Sequence, residues 1–212
     1  MTTLNFIGTS QEHAFIQSNT YLKNNILDPE QYKKTCEALY NSQICSTTQS
    51  DSQITDEEIK DITRQKGGYS LMLCSFYLDE ISSTLEQQCW YHIGEIIQLN
   101  DDLFDIYKDC NDKIATLANR IHDAYAFHHF FTSSFKNIEK EIWQLPYPNK
   151  SKQYLINSLK CHFYGGAICL RFLNRLGYIH LRILIENYPN TFIRHLILFC
   201  LFNFFLSFTY KS

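Results

Sequence analysis

The chain's 212 residues suffice for one domain with a sizeable core and fall short of two. Hydrophobic residues make up 45% and charged residues 19%, with 7 Gly and 4 Pro, so long 3.6-period stretches meet few breakers and an all-α fold is expected. A net charge of −3 with scattered basic residues argues against an electrostatic nucleic-acid binder.

Residues 1–25 are polar, with Phe6, Phe15 and Tyr21 as sizeable anchors. Asp28-Pro29 can open a helix, Asp at the N-cap and Pro at N1, running to about Asn41. Ser42–Gln53 is rich in Ser, Thr and Gln and reads as a linker, which makes 1–54 a polar segment with one helix. Thr55-x-x-Glu58 is a capping box, and the acids Asp56-Glu57-Glu58 read as a helix start. That helix carries Ile59, Ile62 and the Arg64–Lys66 segment; Gly67-Gly68 should weaken or bend it, at about 1 kcal/mol per Gly. Ser70–Leu78 is apolar and expected to be buried.

Asp79–Thr84 reads as a turn, after which Ser83-x-x-Glu86, a second capping box, starts a helix expected to reach about Asp109. Trp90 and Tyr91 either pack or line a pocket, and His92 reads as an interfacial residue. Ile114–Trp143 predicts one or two further helices. Its His122, His128 and His129 make poor metal ligands, since adjacent histidines diverge on a helix. Pro146–Asn149 breaks the pattern, and a last long helix should run from near Lys150 to about Leu176, with Gly165-Gly166 as a close-packing point. Arg171 and Arg175 on it suit a solvated edge better than a diphosphate site.

Residues 177–212 differ in character. Leu196–Tyr210 carries no charge, yet its 15 residues fall short of the roughly 20 that span a bilayer. A core helix, or membrane association through residues 195–210 as an interfacial or tail-anchor segment, are the physical options. The eight cysteines form no CxxC pair and no zinc-type spacing; those at 74, 89, 161 and 169 lie in predicted helices and read as small buried residues. With no signal peptide at the N-terminus, a reducing cytoplasm is expected.

The most informative stretch is Gly94–Asp112, GEIIQLNDDLFDIYKDCND. At about 100° per residue, Asp101, Asp112, Asp105, Gln98, Asp109 and Asp102 fall within about 100° of arc, with five carboxylates among them. Asp101, Asp105 and Asp109 lie at i, i+4 and i+8 and span about 12 Å. Most such runs are solvated faces. Like charges at i,i+4 nonetheless cost a few tenths of a kcal/mol per pair. Lys108 borders the stripe and no Lys or Arg lies inside it. A bound divalent cation would remove that cost, because Mg²⁺ takes carboxylate oxygens together with substrate phosphates.

Gln98-Leu99-Asn100-Asp101-Asp102-Leu103-Phe104-Asp105, with Asp109 four further on, resembles the second aspartate-rich motif of the class I isoprenoid synthases. That family includes trans-prenyl diphosphate synthases and squalene/phytoene synthases. Gly94 and Gln98 precede the acids in the family's order, and Thr116-Leu117 resembles the K-x-T-L segment that follows. Lys66-Gly67-Gly68 resembles the Lys segment of the preceding active-site helix, at a suitable separation. Thr55–Thr116 is most similar to bacterial class 1 isoprenoid biosynthesis enzymes.

The resemblance implies a partial isoprenoid-synthase-type helical bundle over 55–176, followed by a divergent hydrophobic 177–212. It implies Mg²⁺ as cofactor, held by Asp101, Asp102, Asp105 and Asp109, and an allylic prenyl diphosphate as substrate, contacted by Lys66, Arg64 and Gln98. No general acid or base is implied. Condensation, head-to-head coupling and cyclisation share this architecture. The family also carries a first DDxxD helix, and nothing before Lys66 supplies one. The chain therefore reads as the latter part of a longer bundle, acting as a homo-oligomer, or as a catalytically incomplete fragment or partner subunit that complements another chain.

Overall fold

Thr55 and Ser83 each start a helix by the same device. The Thr55 hydroxyl accepts from the Glu58 amide while the Glu58 carboxylate accepts from the Thr55 amide at 2.8 Å. Ser83 and Glu86 repeat the exchange. Asp28 caps a third helix, accepting from the Gln31 amide with Pro29 at the first helical position. In each case two orphan backbone donors are satisfied or made unnecessary, so the helix starts where the sequence dictates.

The computed structural model describes residues 17, 20, 25–78, 80–121 and 123–187. Its helices are α1 (Pro29–Ser46), α2 (Asp56–Ser75), α3 (Thr84–Phe104), the short α4 (Ile106–Asn111), α5 (Ala124–Gln144) and α6 (Asn149–Asn187). The fold is all-α; no strand occurs among the described residues. α3 is the central helix, packed by α2, α5 and α6, while α1 lies on α2. Along it, Ile93, Ile96, Leu99 and Leu103 are buried against Phe131, Phe135, Ile138 and Ile142 of α5 and Ile156, Phe163 and Leu170 of α6. The Phe163 ring stacks on Phe131 and Phe135, with centroids 5.1 and 4.4 Å away.

Several expectations are corrected. The Ser42–Gln53 linker is largely helical: α1 continues past Asn41 to Ser46, and a 3₁₀ turn covers Thr47–Ser50. The hydroxyls of Ser42, Ser46, Thr47 and Thr48 each donate to the carbonyl three residues back at 2.7 Å, so they reinforce the helical turns they were expected to end. α2 runs through the Gly67-Gly68 pair to Ser75. The second capping-box helix stops at Phe104 and does not reach Asp109. Ser70–Leu78 is only partly covered, with Met72 and Ser75 buried but Tyr77 and Leu78 exposed. Cys89 and Cys169 are buried as expected, whereas Cys74 and Cys161 face outward. The last helix extends beyond Leu176 to Asn187. Residues 188–212, and with them the 195–210 segment, lie outside the described residues, as do His122 and the Arg175 side chain. Among the described residues no helix is long and apolar enough to cross a membrane.

The two glycines of α2 are spent on α3. A Cβ on Gly67 would collide with the Gly94 carbonyl and the Gln98 side chain; one on Gly94 would collide with the Gly67 carbonyl and Leu71. The helices therefore cross backbone to backbone, and Gly68 is covered by the Tyr91 ring. Gly94→Ala should lower unfolding free energy by about 1–3 kcal/mol, since backbone must move. Gly68→Ala should cost less because a ring can turn aside; urea denaturation of the two variants checks the ranking.

Candidate functional site

The crossing of α2 and α3 is antiparallel: Thr63 lies by Asp102, Gly67 by Gly94 and Gln98, and Gly68 by Tyr91. Lys66 is thereby carried toward the C-terminal end of α3, where the acids are. Its positive charge counters the raised pKa of Asp101, Asp102 and Asp109 alike. It makes no direct ion pair among the described residues.

Asp102 is the most enclosed of the acids, 7% exposed. Gln98 Nε2 donates to its Oδ1 at 2.9 Å, and the Thr63 hydroxyl donates to its Oδ2 at 3.4 Å. Burial nevertheless pushes its pKa up to about 6, against the opposing help of Gln98, Lys66 and Thr63. Asp109 is also buried, and burial followed by the charge of Asp105 raises it, while Lys108 and Lys66 pull the other way. Asp101 is exposed yet raised too, by desolvation and then by Asp105; His162 and Lys66 oppose the shift.

The acids do not ride one unbroken helix as expected. Asp105 sits at φ −95°, ψ 8°, between α3 and α4, although its amide still donates to the Asp101 carbonyl at 2.8 Å and its carbonyl accepts from Asp109 at 2.9 Å. The break occurs where α6 reaches the backbone: the Cys169 thiol donates to the Leu103 carbonyl at 3.7 Å. Asp101 and Asp102 thus belong to a long rigid helix, and Asp109 to a separate six-residue one. The α3 C-terminus carries the negative end of the helix dipole, which adds to the repulsion among these acids.

Arg64, expected beside Lys66 at a diphosphate, is turned elsewhere. Its Nε lies 3.3 Å from Glu95 and its Nη1 3.9 Å from Asp61. Gln98 is occupied with Asp102. His92, read as interfacial, bridges α3 to α5 through Glu141 at 2.8 Å. Arg171 is exposed on α6.

Two participants escaped the sequence reading. Thr63 lies one turn before Lys66 on α2, a spacing that could have pointed to it. His162 is four residues before Gly166, where α6 presses on α3; a Cβ at Gly166 would meet the Asn100 side chain, and one at Gly165 the Phe104 ring. The glycine pair marked the crossing, but nothing marked which neighbour would reach Asp101. Asn100 is buried with its Oδ1 unpaired against that crossing.

Among the described residues no three His, Cys, Asp or Glu side chains converge as a closed cation cage. Mg²⁺ is commonly held by one or two carboxylates, with water and phosphate oxygens completing its shell. Asp105 raises the pKa of both Asp101 and Asp109 while Lys66 opposes both shifts, so these carboxylates stand near enough to one another to serve an open site of that kind. No family model, curated protein or solved structure matches the chain.

The raised acids set a pH dependence. A carboxyl whose folded pKa lies above its unfolded value of 3.8 opposes folding once ionised, so stability is greater below about pH 4 and falls as pH rises through 6. For Asp102 the difference is on the order of 3 kcal/mol. Asp102→Asn, whose amide can still meet Gln98 and a turned Thr63 hydroxyl, should raise stability at neutral pH and flatten its decline between pH 4 and 6. Denaturant midpoints at the two ends of that window measure both effects.

Proposed function

We propose that the chain acts in isoprenoid biosynthesis, on allylic prenyl diphosphates, through Mg²⁺-dependent ionisation of the diphosphate leading to prenyl transfer, coupling or cyclisation. One observation carries the reading: desolvation disfavours the charge on Asp101, Asp102 and Asp109, and Lys66, without a direct ion-pair partner among the described residues, is near enough for its charge to oppose all three shifts. A row of acids with raised pKa values is costly in isolation, and the charge of Lys66 offsets that cost only in part. Cations bridging the acids to an anionic ligand would relieve the rest.

In this reading Asp101, Asp105 and Asp109 would hold Mg²⁺, with Asp102 next. When bound, the ion would supply Lewis-acid stabilisation of the departing diphosphate oxygens. Lys66 would place its ammonium against the diphosphate as negative charge builds there. Gln98 and Thr63 would act indirectly, fixing the Asp102 carboxylate through their hydrogen bonds. Arg64 would contribute only after leaving Glu95.

A second reading is favoured by a specific observation. One acidic row lies among the described residues, and no three ligands converge there. A catalytically incomplete bundle, completed by a partner subunit or a second copy that brings further carboxylates, meets that arrangement equally well.

The deciding measurement is diphosphate release from an allylic prenyl diphosphate with and without Mg²⁺. Metal-dependent release supports the enzyme; none, with binding retained, supports the incomplete subunit. Asp101→Ala and Asp105→Ala should abolish Mg²⁺-dependent diphosphate binding with helicity by circular dichroism nearly unchanged. Lys66→Ala should weaken diphosphate binding more than metal binding, which titration calorimetry with each ligand separates.

A further inference from the structure

Asp105 belongs to neither α3 nor α4, so the helical turns stop at Phe104 and start again at Ile106. Its φ of −95° and ψ of 8° stand about 30° and 50° from helical values, a modest rotation at one residue. Residues 95–111 contain no Gly or Pro, so the sequence itself supplies no breaker here. Asp105 occupies the N-cap of α4 but makes no side-chain cap bond, so local capping does not hold the break either.

What remains is the contact from α6. Cys169 is buried, and burial pushes its thiol up to about 12, so the sulfur keeps its proton and donates to the Leu103 carbonyl at 3.7 Å. In a continuous helix that carbonyl would accept from the Tyr107 amide. A thiol is a weak donor, and it stands here against a backbone amide, which leaves the bent and straight arrangements close in free energy. Both flanks are anchored, Leu99 and Leu103 in the core and Ala115 on Gln49, so a change at Asp105 stays confined to the joint.

We propose that the α3–α4 joint is a two-state hinge set from α6: bent while the Cys169 thiol holds the Leu103 carbonyl, and a continuous helix when the Tyr107 amide takes that carbonyl over. The straight state puts Asp101, Asp105 and Asp109 on one unbroken helix face, where like charges at i,i+4 repel, so bare acids favour the bend. Neutralising them favours the straight state. That coupling to a cation rests on the Mg²⁺ reading above; control of the hinge by Cys169 does not. By linkage, whatever straightens the joint also tightens cation binding.

The experiment is amide hydrogen exchange by NMR on the full chain, following Ile106, Tyr107 and Lys108. In the bent state these are the first amides of α4 and exchange quickly. Cys169→Ala removes the donor and should slow Tyr107 about tenfold, with mid-α3 amides unchanged. Cys169→Ser supplies a donor again and should restore the fast rate. Asp105→Asn removes one repelling charge and should slow the same amides about two- to fivefold; it decides the matter if Cys169→Ala does not fold. Mg²⁺ with inorganic pyrophosphate should slow all three about tenfold, and should bind Cys169→Ala more tightly than the unsubstituted chain. Tyr107 exchanging as slowly as mid-α3 in the unsubstituted chain, or indifference to the substitutions, would overturn the hinge. Pyrophosphate binding with no change at 106–108 would overturn the coupling and leave the Mg²⁺ reading standing. No binding, with slowing in Cys169→Ala, would support the hinge and overturn the Mg²⁺ reading.

Discussion

The closeness of α2 and α3 depends on two missing side chains. At Gly67 and Gly94 the backbones meet with nothing between them, and that approach brings Lys66 and Thr63 within influence of the acids on α3. Any Cβ in the seam pushes α2 outward, and Lys66 moves with it. The electrostatics at the end of α3 are thus a consequence of packing: a crossing made of glycine fixes where one ammonium can stand. The intrinsic helix penalty of glycine, about 1 kcal/mol each, is offset by the contact it allows.

That crossing also clarifies what was legible beforehand. Helix starts were read well because capping is local: Thr55 with Glu58, Ser83 with Glu86, and Asp28 before Pro29 need only their own neighbours. Helix ends were read poorly for two reasons, one local and one distant. The expected linker after Asn41 is mostly helical since its hydroxyls bond back onto its own carbonyls, an outcome equally open to the same residues as capping or loop formation. The end of α3 at Phe104 coincides with a thiol from α6, 66 positions later in sequence. No periodicity in Gly94–Asp112 could announce it.

The acidic row was legible as a row, and its neighbours only in part. Lys66 was singled out through the resemblance of Lys66-Gly67-Gly68 to a family motif, and its charge opposes the raised pKa values of Asp101, Asp102 and Asp109. Arg64, two residues earlier, looked equivalent in sequence but meets Glu95, because two residues on a helix turn a side chain well away. His162 was invisible, since its approach to Asp101 is set by where α6 crosses α3. Of the side chains delivered by another helix, Lys66 was found through its motif, while Thr63 and His162 were missed.

One further link bears on where this chain can be divided. Gln49, buried in the turn after α1, bonds twice to Ala115: its side-chain amide donates to the Ala115 carbonyl at 2.8 Å, and its own carbonyl accepts from the Ala115 amide at 2.8 Å. Arg120 donates to the Ile54 carbonyl at 2.6 Å, tying the same loop down a second time. That loop directly follows α4, and with it Asp109. Severing the polypeptide ahead of residue 55 would therefore untie the far end of the acidic row, although no acid had been touched. The turn after α1 works as a strut for a carboxylate sixty residues downstream of Gln49.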